Sequence, residues 1–155
     1  VLVNYAVASG TMWPPIFRDD RRDTLNPIGM AQMRAVLEHQ GTVLGIHPEG
    51  TRNKNADPYQ FLNIKPGVGS LLQDAHPETI VLPFFIVGLD NSLLLQIRRN
   101  FRPKGQRGTP IRIWFGSPLK AADFHGERDP LKITYSLMQR ISELAEQDRA
   151  LNAPS

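Results

Sequence analysis

Cysteine is absent from the 155-residue chain, which excludes disulfides, thiolate metal sites and a cysteine nucleophile together. Long apolar runs are missing too: the longest, residues 80–89, is broken by Pro83 and Gly88 and falls short of the roughly 18 residues a membrane-spanning helix needs. No Walker sequence occurs, and Leu72 stands where a dinucleotide fingerprint beginning at Gly67-Val68-Gly69 would need its third glycine. Acidic charge is scarce in one place. Residues 91–122 contain Arg98, Arg99, Arg102, Lys104, Arg107, Arg112 and Lys120 but no Asp or Glu, so this segment carries the whole net charge of +3 and should face an anionic surface or ligand. Aromatic residues are thin there, with Phe101 alone among residues 98–107, which argues against a groove that stacks single-stranded bases.

What is present describes a folded soluble chain. Hydrophobic residues make up 41% and charged residues 21%, and a chain of this length buries roughly two thirds of the surface its unfolded form exposes. Residues 1–155 read as a single domain without internal repeats. Residues 1–8 are apolar without a basic leader and read as a strand rather than a signal peptide. Asn26-Pro27 predicts the start of a helix of about 14 residues with Met30, Met33, Val36 and Leu37 on one face and Gly41 as its stop. Residues 42–46 read as a strand, Pro66 opens a short helix ending near His76-Pro77, and residues 79–87 read as a strand buried on both faces and interrupted at Pro83. In residues 90–101, Leu93, Leu94, Leu95 and Ile97 precede Arg98 and Arg99, a pattern that suits either a core element or the lipid headgroup boundary. Ile111, Ile113 and Phe115 alternate with Arg112 and Trp114 as a strand. Asp129-Pro130 begins a final helix with Ile133, Leu137, Ile141 and Leu144 on one face.

The chemistry-bearing stretch is His47-Pro48-Glu49-Gly50-Thr51-Arg52. Pro48 removes a backbone donor and ends the preceding strand, so the polar residues fall where the sheet stops. Glu49 offers a carboxylate, Gly50 lets a ligand approach the backbone, Thr51 supplies a hydroxyl, and Arg52 presents a planar donor fork suited to phosphate. Upstream, residues 16–23 place Arg18, Arg21 and Arg22 among aspartates. Downstream come Lys65-Pro66-Gly67 and Val81-Leu82-Pro83-Phe84-Phe85-Ile86.

In that order these stretches resemble the conserved blocks of the glycerolipid acyltransferases, the family of lysophosphatidic acid and glycerol phosphate acyltransferases. Residues 47–52 resemble its Phe-Pro-Glu-Gly-Thr-Arg block, with His47 in the usual place of Phe. The resemblance implies an α/β fold, a layered mixed sheet flanked by helices, and transfer of a fatty acyl group to a lysophospholipid or glycerol phosphate hydroxyl. Acyl-CoA or acyl carrier protein would be the donor, with no cofactor or metal. It further implies that Arg21, Glu49, Gly50, Thr51, Arg52 and Lys65 bind the acceptor phosphate; Arg21 fits the family spacing best, with Arg18 and Arg22 as alternatives. The family's catalytic block is His-x4-Asp, in which His takes the proton of the acceptor hydroxyl. Here the residues five beyond His39, His47, His76 and His125 are Leu44, Arg52, Val81 and Pro130, so the block is missing. The chain, beginning at Val1, is therefore expected to be a carboxy-terminal part of a larger acyltransferase domain, inactive alone, cytoplasmic and peripheral at the inner face of a membrane. The basic segment alone also admits a different class, a non-catalytic module binding anionic lipid or nucleic acid with steep salt dependence.

Overall fold

The computed structural model describes Ile16 and residues 20–51, 53–55, 57–89, 93–103 and 110–152. The strand expected over residues 1–8 lies outside them. Helix α1, Arg22–Leu37, begins before its expected start. Asn26 does not cap it: the Leu25 amide already donates to the Arg21 carbonyl at 2.8 Å, and Pro27 sits inside the helix at the cost of one backbone hydrogen bond. Asp23 in the first turn favours the early start by meeting the positive end of the helix dipole. The helix ends at a turn whose Gly41 has φ +80°, with the Thr42 hydroxyl 2.7 Å from the carbonyls of both Val36 and His39.

The strand expected over residues 42–46 does not form a ladder with any described strand, and Val43 is 92% exposed. Four apolar residues specify a strand only when a neighbouring edge accepts their backbone groups, and no described strand does so here. After the loop, helix α2, Gly67–Asp74, matches its expected place, with Leu71 and Leu72 buried.

Strands β1, Ile80–Val81, and β2, Phe84–Val87, divide the predicted apolar strand at Pro83. Their partners follow helix α3, Leu93–Asn100: β3, Arg112–Phe115, pairs with β2, and β4, Leu119–Lys120, pairs with β1. Both pairings are antiparallel, aligning Phe84 with Phe115 and Ile80 with Lys120. Between them the Gly116 amide donates to the Pro83 carbonyl at 2.9 Å, and the Ala121 amide donates to Thr79 at 2.9 Å. The two ladders therefore act as one bent ribbon. This is a mixed helix and strand architecture, as expected, but the described pairings are all antiparallel. Nor is the ribbon covered on both faces: Phe85 and Val87 are buried while Ile80 and Phe84 are exposed. Two faces were read as covered because the run is continuously apolar; the described helices pack on only one of them.

A 3-10 turn, Ala121–Phe124, leads to helix α4, Pro130–Asn152, which starts where the sequence marks it: the Asp129 carboxylate accepts the Leu131 amide at 2.9 Å. Its stripe of Ile133, Leu137, Ile141 and Leu144 serves two clusters. Near its start it packs with Leu72, Ala75, Ala121 and Phe124; further along it packs on Phe85 and Val87, with Phe61, Tyr59 and Trp114 beside them. Each such buried apolar side chain contributes about 1.5–3 kcal/mol of transfer free energy. Helix α4 is thus the spine against which both α2 and the ribbon are held.

Candidate functional site

The polar block folds as a tight turn. The Gly50 amide donates to the His47 carbonyl at 2.8 Å, and Gly50 adopts φ +67°, a left-handed conformation natural to glycine. The Lys65 amide donates to the Pro48 carbonyl at 2.8 Å, and a Cβ added at Gly50 would lie 3.3 Å from Lys65 Cγ. Lys65 is thereby brought across the loop onto the turn. The intervening loop is tied by its own side chains: Asn53 and Asn55 donate to the Gln60 carbonyl at 2.7 and 3.0 Å.

Behind the turn lies a cavity of about 560 Å³. Residues 44–49 and 79–89 line it, together with Val68, Leu71 and Leu72 of α2 and Leu137, Met138 and Ile141 of α4. Its polar lining is sparse: His47, Glu49, Thr51, Asn53 and Asn55 from the motif and loop, with Thr79. A concave, largely apolar chamber with a few convergent polar groups is the usual form of a small-molecule site. Here it suits an aliphatic ligand carrying one polar end.

Glu49 is the acidic side chain among the described lining residues. Its Oε2 is buried without a hydrogen-bond partner among them. Burial pushes its carboxyl above the ordinary range, opposed by the Leu62 backbone hydrogen bond and by His47. The folded chain therefore holds this proton more tightly than the unfolded chain, and the site's contribution to stability falls as pH rises above about 4.5. Glu49→Gln should raise the thermal unfolding midpoint at pH 8 and leave it nearly unchanged at pH 4; a lowered midpoint at pH 8 would contradict this electrostatic reading.

A second polar cluster anchors the loop beyond the turn. Asp148 on α4 is fully buried, and Arg112 grips it bidentately, Nε to Oδ1 at 2.6 Å and the second nitrogen to Oδ2 at 2.8 Å. Trp114 Nε1 donates to Oδ1 at 2.7 Å and the Tyr59 hydroxyl donates to Oδ2 at 2.7 Å. The Arg112 guanidinium, aided by Tyr59 and Trp114, holds the Asp148 carboxyl far below the usual range despite burial. Asp148 in return raises the pKa of both Arg112 and Tyr59. This clamp joins the motif's exit loop, β3 and α4.

A family model described as Acyltransferase matches residues 8–87. This chain belongs to the acyltransferase family. No curated protein and no solved structure matches it. The matched stretch contains the Glu49-Gly50-Thr51 turn, Lys65, α2 and Pro83, and agrees with the resemblance carried by residues 47–52. The cavity extends beyond that stretch, because Leu137, Met138 and Ile141 of α4 complete its wall.

The expected acyltransferase site residues divide into four groups. Glu49 and Thr51 line the cavity, while Gly50 and Lys65 meet at the turn outside it. Arg21 stands at the N-cap of α1 and does not line the cavity, and Arg22 begins that helix. Arg18 and Arg52 lie outside the described residues. Pro83 is buried and lines the cavity where the ribbon bends. Sequence reasoning missed the Asp148 clamp, although a signal was there: Asp148 continues the stripe of Ile141 and Leu144 at helical spacing, and a carboxylate on a buried stripe demands partners. Of the two readings open for residues 90–101, a core element and a headgroup-boundary segment, the core reading does not fit Leu94, Ile97 and Phe101, which are exposed because α3 carries them on a face that no described element covers.

Proposed function

We propose that this chain forms the acceptor-binding and acyl-chain-binding part of a glycerolipid acyltransferase. The observation that carries the reading is the apolar cavity that opens behind the Glu49-Gly50-Thr51 turn. An acyl chain would lie against Leu71, Leu72, Phe85 and Ile141, and the acceptor phosphate would meet Lys65 and Arg52. A carboxylate repels phosphate, so Glu49 would serve an acceptor hydroxyl or neighbouring donors instead. In the transfer, the acceptor hydroxyl oxygen bonds to the thioester carbonyl carbon and loses its proton to a base; the carbon–sulfur bond breaks and the thiol departs with a proton. The sequence has no His-x4-Asp, so under this reading the base comes from outside these 155 residues.

The test separates binding from turnover. The chain should bind lysophosphatidic acid or glycerol phosphate in calorimetry and yield no ester with acyl-CoA or acyl carrier protein. Lys65→Ala and Arg52→Ala should each weaken phosphate binding about tenfold, as loss of a charge-assisted contact does. Robust acyl transfer by the chain alone would overturn the missing base, and unchanged acceptor binding in both variants would overturn the anion site.

A further inference from the structure

Helix α3 joins exposed apolar residues to exposed cations. Leu94 is 79% exposed, Ile97 45% and Phe101, one residue past the helix end, 86%. Their spacing of three and then four residues puts them on one helical face. Exposed Arg98 and Arg102 directly follow Ile97 and Phe101. A contiguous apolar stripe on a surface helix is costly in water unless a partner covers it.

The charge pattern selects the partner. The segment from residue 91 to 122 has no anion; Arg112 and Lys120 pair with Asp148 and Glu78 elsewhere in the fold, while Arg98 and Arg102 are exposed beside the stripe, so the covering surface should be negative and able to take up apolar side chains at the same depth. A bilayer containing anionic phospholipid meets both demands: the stripe enters the acyl boundary while arginine heads stay among the phosphates. From these observations we infer that α3 with Phe101 is a membrane-docking helix that seats the chain on anionic lipid. Leu89, a few residues before α3, lines the cavity, so docking here would hold the cavity beside the lipid phase. The inference goes beyond the acyl-transfer reading and does not rest on it, because lipid docking is measured without any substrate.

The full chain is sedimented with phosphatidylcholine vesicles, with or without 30% phosphatidylglycerol. It should pellet with the anionic vesicles, and partition should fall steeply with added salt. Arg98→Glu, which reverses one charge, and the double variant Leu94→Asn/Phe101→Ser should each weaken partition about tenfold or more. All three positions are exposed, so unfolding midpoints should not change. Leu151→Asn, at an equally exposed leucine on α4, should bind as the parent does. No binding to anionic vesicles, or full binding by the double variant, overturns the inference. So does an apolar stripe whose variants instead abolish self-association or binding to a nucleic-acid oligomer while lipid binding persists.

Discussion

Asp148→Ala is expected to lower the unfolding free energy by about 3–5 kcal/mol, the cost of stripping one partner from a buried ion pair. The carboxylate is completely buried and accepts from Arg112, Trp114, Tyr59 and Asn152, so its removal leaves the first three without this acceptor and takes one of two from Asn152. The guanidinium of Arg112 is only 24% exposed and would keep its charge without a counter-ion. Asp148→Asn nearly preserves shape but not charge, and should recover only part of the loss. Acid should act in the same direction. The folded-state pKa of Asp148 lies below its unfolded value near 3.8, so the stabilisation is complete above about pH 5 and disappears as pH falls toward the folded value. Urea melts across pH 2–7 should show parent and Asp148→Asn curves converging at low pH. A constant gap between them would mean that packing, not charge, accounts for the loss. Because the clamp holds Tyr59, limited proteolysis of Asp148→Asn should also reveal faster cleavage around residues 57–61.

Local signals were legible and partner choice was not. The turn at Gly50, the division of the apolar strand at Pro83 and the Asp129-Pro130 start of α4 are written in residues that constrain their own backbone. The side of β3 that faces inward is another matter. Residues 111–115 alternate apolar and polar, and hydropathy alone turns Ile111, Ile113 and Phe115 to the core. In the fold, Arg112 and Trp114 face inward and those three are exposed, because Asp148, far away in sequence, offers a buried anion to which both donate. Residues 42–46 failed as a strand for a related reason: β propensity names a strand but not the edge that will pair with it. In the candidate site the turn at Glu49-Gly50-Thr51 was readable from Pro48 and Gly50, whereas Lys65, which meets it, was singled out only through the family resemblance. The α4 wall of the cavity was not, since Met138 and Ile141 look like any helix stripe until the helix is docked.

That docking can be tested at a single atom. Gly69→Ala on α2 should destabilise the chain by about 1–3 kcal/mol or more, whereas Gly67→Ala, two residues earlier in the same helix, should stabilise it by about 0.4–1 kcal/mol. The reversal of sign comes from the neighbours. A Cβ at Gly67 meets nothing within 4 Å and merely reduces the freedom of the unfolded chain. A Cβ at Gly69 would fall on the carbonyl of Pro130, the first residue of α4, a backbone atom that no rotamer change can move aside. The same contact lets the Thr134 hydroxyl reach the Gly69 amide at 3.1 Å, so separating the helices would also break a buried hydrogen bond. Leu71 and Leu72 sit on the next turn of α2 and Leu137 on the next turn of α4, and all three line the cavity. A shift at Gly69 should therefore reach the cavity as well as the core. Under the acyl-chain reading, Gly69→Ala should weaken binding of a long-chain lysophospholipid while sparing glycerol phosphate, and Gly67→Ala should alter neither. Equal loss of both ligands would mean that the variant unfolds the turn at Glu49 rather than reshaping the chamber behind it.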